Sequence, residues 1–110
     1  MRIESENRSK AVLVHVIGRM DAVTAPEFDQ VCTKLIADGA KNLVVDLGQM
    51  EYISSAGLRS ILAAGKAVKS RGGDLLLCNM KGMVKEIFEI SGFLSIFPLY
   101  PTADEALSHV

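Results

Sequence analysis

The chain of 110 residues has no tryptophan, three prolines, two cysteines and two histidines, and its charges nearly cancel at a net −1. Each scarcity excludes something. Binding nucleic acid needs a concentrated basic face, and a balance of 12 basic against 13 acidic residues gives no reason to expect one. Two cysteines, Cys32 and Cys78, cannot form a disulfide framework. Each sits among apolar neighbours with no Cys or His at metal-ligand spacing, so both read as buried structural thiols. No apolar run approaches the roughly 20 residues that span a bilayer, so no membrane insertion is expected. The first residues, Met1 to Glu6, lack the apolar segment of a signal peptide, which makes the cytoplasm the default compartment. The histidines, His15 and His109, lie far apart, and His15 alternates with Val14 and Val16 as an outward strand residue. No acid, base and nucleophile converge in the sequence, no glycine-rich phosphate loop appears, and no cofactor is implied. The reading is a binding protein rather than an enzyme.

What the chain has is hydrophobic content of 49%, enough for one core. Ala11 to Ile17, rich in β-branched residues and ended by Gly18, predicts a strand; Arg2 to Glu6 can pair with it as a hairpin. Thr24 and Glu27 have capping-box spacing, with Pro26 suited to a first helical turn. Phe28, Val31, Cys32, Leu35 and Ile36 then form one apolar helical stripe that Gly39 stops. Leu43 to Leu47 is almost continuously apolar, as in an interior strand covered on both faces.

Met50 to Ile53 leads into Ser54-Ser55, and a second helix follows with Leu58, Ile61, Leu62, Gly65 and Val68 on one face. Arg71-Gly72-Gly73 ends that helix and reads as a C-terminal cap, not a phosphate loop. Leu75 to Cys78 predicts another buried strand. A third helix through Met83, Val84, Ile87 and Phe88 stops at Gly92. Ile96 to Tyr100 gives a last strand weakened by Pro98, and Thr102 with Glu105 caps a terminal helix. The alternation predicts one α/β domain over residues 1–110, with a mixed sheet of four to five strands and about four helices.

The informative turn is Ile53-Ser54-Ser55-Ala56-Gly57-Leu58. A serine just before an apolar-periodic run is a natural N-cap, and on spacing alone Ser55 needs no other role. Gly57 is unusual there, since glycine costs a helix about 1 kcal/mol relative to alanine. A bare first turn would admit close approach by another molecule. A phosphate on Ser55 would add about −1.5 to −2 charges beside the positive end of the helix, which tolerates it; a partner pressed on that surface would not.

Val44-Val45-Asp46-Leu47 followed by Tyr52-Ile53-Ser54-Ser55-Ala56-Gly57-Leu58 resembles the signature of the STAS domain family. Gly18-Arg19-Met20-Asp21 before a Thr-capped helix resembles the family's early glycine–acidic loop, and Phe88 to Phe93 resembles its late helix-ending motif. The resemblance spans nearly the whole chain. It implies an anti-sigma-factor antagonist acting by partner switching. The unphosphorylated form binds an anti-sigma factor that is a serine kinase of the histidine-kinase-like ATPase type, phosphorylation breaks the complex, and a serine phosphatase resets it. The implied acceptor is Ser55; Ser54 stands where the family usually has Asp and is the second choice.

The resemblance also implies a partner contact for Asp21; Thr24, Ser54, Ala56, Gly57 and Arg59 are further candidates for that surface, and Arg59, just past Gly57, can face the partner or the phosphate. Asp21 reads equally well as a turn-forming carboxylate, and Thr24 chiefly as a cap. The alternative within the family is a docking subunit of another complex, such as a lipid-transport ATPase or a signalling scaffold, which needs no phosphate.

Overall fold

The computed structural model describes all 110 residues. Its elements run β1 (Arg2–Asn7), β2 (Val12–Met20), α1 (Ala25–Ala37), β3 (Leu43–Asp46), β4 (Met50–Ile53), α2 (Ser55–Lys69), β5 (Leu75–Cys78), α3 (Gly82–Ser91), β6 (Leu99–Tyr100) and α4 (Ala103–Leu107). The strands form one mixed sheet in the order β1-β2-β3-β5-β6, with β4 added alongside β2. Only β1 is antiparallel, as the hairpin partner of β2. The β3–α2–β5 connection is the expected crossover between parallel strands.

The continuously apolar strands are covered on both faces, as their composition requires. On one side α1, α2 and α3 bury Phe28, Cys32, Ile36, Ile61, Val68, Val84 and Phe88 against Val14, Val45 and Leu77. On the other side α4 alone covers Leu13, Val44, Leu76 and Cys78 through Ala106. Both cysteines are free and buried, and burial pushes their thiols up to about 12. No helix is long and apolar enough to cross a membrane.

Three local expectations change. The first long strand does not end at Gly18: it continues to Met20 with a register shift at Gly18/Arg19, and the extra residues pair in parallel with Met50 to Ile53. Gly18 permits this because its φ of +94° is a conformation side chains rarely adopt. That pairing makes Met50–Ile53 a sixth strand. The last strand is shorter than Ile96 to Tyr100. A 3₁₀ turn occupies Phe93–Ser95, and Phe97 leaves the sheet to lay its ring where Gly65 has no side chain.

His15 lies at the sheet surface, half-buried, with Nε2 at 2.8 Å from Glu6 Oε2 and Nδ1 at 3.2 Å from Asp46 Oδ2. The second oxygen of Asp46 accepts from the Gly48 N–H at 2.9 Å, so each oxygen of this strand-end carboxylate has a polar neighbour. The two poles of the sheet differ. At the N-terminal ends of the parallel strands, a cleft is lined by Arg8, Lys10, Lys41, Asn42 and Val110. At the opposite pole lie the ends of β2 and β4 and the start of α2, and a side chain at Gly18 would touch the Met1 backbone.

Candidate functional site

The start of α2 is held to the sheet by its backbone. Ser54 N–H donates to the Met20 carbonyl at 2.9 Å, continuing the β2–β4 pairing one residue beyond the strand. The chain then turns, and the cap is Ser54 rather than Ser55: Ser54 Oγ accepts from the Gly57 N–H at 3.3 Å. Ser54 has the extended backbone of a capping residue, so it takes that role and leaves Ser55 as the first helical residue. Ser55 is exposed and its hydroxyl makes no hydrogen bond within the chain. No acidic residue lies in the first turn, so the positive end of the helix is uncompensated by side chains.

Gly57 has a different purpose from the one its sequence position implied. It is buried. A Cβ there would lie 2.7 Å from Ile53 Cγ1, 3.0 Å from Met20 Cγ and 3.2 Å from the Met20 carbonyl oxygen. The bare position faces the molecule's own sheet, so it lets α2 sit close to β2 and β4 and does not open the turn to a visitor.

Asp21 and Thr24 build the neighbouring loop. Asp21 Oδ1 accepts from Val23 N–H at 3.0 Å and Thr24 N–H at 3.1 Å. These backbone bonds, Thr24 first and Val23 after it, hold the Asp21 carboxyl below the usual carboxylate range. Thr24 Oγ1 in turn accepts from Asp21 N–H at 2.9 Å and donates to the Arg19 carbonyl at 3.1 Å. Thr24 occupies the N-cap position of α1 but its side chain makes no cap bond, so the expected capping box with Glu27 does not form. The hydroxyl is committed backwards, into the loop.

The result is a tied loop that presents Val23 at 86% exposure. Between loop and helices runs a cleft of about 340 Å³, lined by Ala22, Ala25 and Asp29 on one side and Ala56, Arg59 and Ser60 on the other. Arg59 and half-buried Ala56 thus share one surface; Ser55 directly precedes Ala56 in the chain and does not itself line the cleft. Arg19, the other cation here, lies 4.5 Å over the Tyr52 ring. Val23, Ala22 and Asp29 were not singled out from the sequence. The Asp21-x-x-Thr24 spacing, which favours a side-chain-tied turn, was the available signal for the first two.

An α/β sheet with one antiparallel hairpin and three helices on one face is a fold shared with known proteins. The STAS domain model matches residues 2–106, and the chain belongs to that family. BtrV of Bordetella bronchiseptica, named as an anti-sigma factor antagonist, is 35% identical over 106 residues, covering 96% of this chain and 91% of its own. An anti-sigma factor antagonist from Mycobacterium paratuberculosis superposes with a TM-score of 0.89 at 30% identity, covering 99% of this chain and 92% of that one. The Bacillus cell fate determinant SpoIIAA superposes with a TM-score of 0.76 in both its unphosphorylated and phosphorylated forms, at 13% and 17% identity over 98% of this chain. The match covers 96% and 98% of those two chains, and at such identity it speaks to the fold alone.

Proposed function

We propose that this chain is an anti-sigma factor antagonist that works by partner switching, with Ser55 as its phosphorylation site. The observation that carries the reading is an exposed, unbonded serine hydroxyl at the first position of α2, beside a tied loop and a cleft. The names of relatives that match nearly end to end support it. The unphosphorylated form binds its anti-sigma factor through the loop around Asp21 and Thr24 and the α2 start at Ser54, Ser55, Ala56 and Arg59, and the sigma factor is freed. Gly57 is buried beneath and excluded from the contact. The anti-sigma factor, a serine kinase of the histidine-kinase-like ATPase type, moves the γ-phosphoryl group of ATP to Ser55 Oγ. An O–P bond forms, ADP departs and the hydroxyl proton is released. A serine phosphatase resets the protein by hydrolysing that bond to serine and orthophosphate.

The physical logic is that a group of about −1.5 to −2 charges is welcome at a helix N-terminus but costly to desolvate under a partner. That a fold of this kind exists in both forms in SpoIIAA supports a switch acting on the interface and not on the fold. The protein is accordingly a regulatory kinase substrate of the cytoplasm, not an enzyme.

Mass spectrometry after incubation with a serine kinase of this type and ATP tests the acceptor. One phosphate is expected on the chain and none on Ser55→Ala; a phosphate that persists in Ser55→Ala overturns the assignment. Ser55→Asp is expected to fold normally by circular dichroism while losing kinase affinity. Neutral Ser54, standing at the cap where the family usually has Asp, favours one second reading, docking in another complex without phosphate. Binding of a transporter or scaffold subunit, insensitive to Ser55→Asp, would decide for it.

A further inference from the structure

We infer that Arg59 is the intramolecular partner of a phosphate on Ser55, so that modification also withdraws Arg59 from the cleft. This rests on the proposal that Ser55 is the acceptor, and extends it to how the phosphate is held. Ser55 and Arg59 are four residues apart on α2 and both are exposed. Positions i and i+4 bring Cβ atoms to about 5–6 Å, and an anion placed N-terminal to the cation is the favourable order on a helix. A guanidinium meets a phosphate through two parallel hydrogen bonds, which a point charge cannot match.

The neighbouring charges leave Arg59 available. No carboxylate lies within ion-pair distance of it. Asp29 lines the same cleft without pairing to it, and Asp21 is occupied by Val23 and Thr24. Arg19 is stacked on Tyr52. Ser54 brings no competing negative charge to the first turn, because its side chain is a neutral cap. Before modification Arg59 therefore stands free at the cleft, where a partner's carboxylate can reach it. After modification it has an anion of higher charge one turn away in its own helix. The switch then acts twice on the same interface, adding a phosphate at its edge and removing a cation from its middle.

The test uses the full chain with phosphoserine installed at position 55 during translation, compared with the same chain carrying Arg59→Gln or Arg59→Lys. The probe is the ³¹P NMR titration of the phosphate. A nearby cation favours the dianion, so the second ionisation is expected about 0.5 pH unit lower with Arg59 than with Gln. That is roughly a threefold change in proton affinity. Lys should restore part of the difference, and 1 M salt should shrink it because the pair is exposed. Identical titrations with Arg59 and Gln overturn the inference. Because the phosphate is installed without a kinase, failure of any kinase to modify Ser55 would sink the proposed function and leave this result standing.

Discussion

Gly57→Ala is the sharpest probe of how the switch segment is built. In an open helical position alanine is better than glycine by about 1 kcal/mol, so propensity alone calls for stabilisation. At position 57 the added methyl meets Ile53 Cγ1 at 2.7 Å and Met20 Cγ at 3.0 Å, both buried, and the Met20 carbonyl oxygen at 3.2 Å. The two side chains have little space to yield. The carbonyl cannot shift alone, because it accepts the Ser54 N–H at 2.9 Å. Overpacking of this kind costs about 1–3 kcal/mol, so the propensity gain is cancelled and the net expectation is a loss of about 0–2 kcal/mol. For a domain of this size the upper end is a fall in Tm of roughly 8–16 °C.

Urea unfolding followed by far-ultraviolet circular dichroism should show a lower midpoint with an unchanged slope. Ala63→Gly, at an exposed position on the same helix, is the control and should lose about 1 kcal/mol through propensity alone. Destabilisation by both substitutions, in opposite chemical directions, cannot come from propensity. A Gly57→Ala protein more stable than the parent by the full propensity gain of about 1 kcal/mol would refute the close packing of α2 on β2 and β4.

Ser54→Ala should cost about 1 kcal/mol in urea unfolding through loss of the cap, whereas Ser54→Asp should be near neutral because Asp caps as well. A loss with Ser55→Ala and none with Ser54→Ala would reverse the assignment of the cap. Asp21 has a depressed folded-state carboxyl, so its contribution is present above the ordinary 3.8 and is lost as pH falls through the lower folded value. Asp21→Asn should therefore flatten the stability–pH curve below about pH 4, and an unchanged acid limb would contradict the turn geometry. Cys32 and Cys78 are 3% and 0% exposed, with thiols raised to about 12. At pH 8 neither should react with a thiol reagent until denaturant is added; rapid labelling of the native protein would contradict their burial.

Much of the fold was legible because long segments carried unambiguous patterns. The stripe Phe28, Cys32, Ile36 and the runs Leu43–Asp46 and Leu75–Cys78 appear as a helix and two interior strands. Short elements were harder. Met50–Ile53 is four residues long, and its strand character comes from pairing with a stretch of β2 that Gly18 seemed to terminate. At the site, the segment was legible but its local geometry was not. Adjacent serines compete for one cap, and the winner is the one whose N–H extends the sheet pairing to Met20. Thr24 had the spacing of a cap, yet a hydrogen bond to the Arg19 carbonyl and another from Asp21 took its hydroxyl. Gly57 carried a genuine signal of close approach, but sequence alone cannot tell whether the approaching atoms belong to the same chain.

The placement of the two termini has a practical bearing on experiment. Met1 lies against Gly18, toward the pole that carries Ser55, whereas Val110 lies beside Lys10 and Lys41 at the far pole. A fluorophore, affinity handle or immobilising linker attached after Val110 should leave the switch face clear. The same attachment before Met1 would hang at its margin and could imitate, by bulk alone, the loss of affinity assigned to a phosphate.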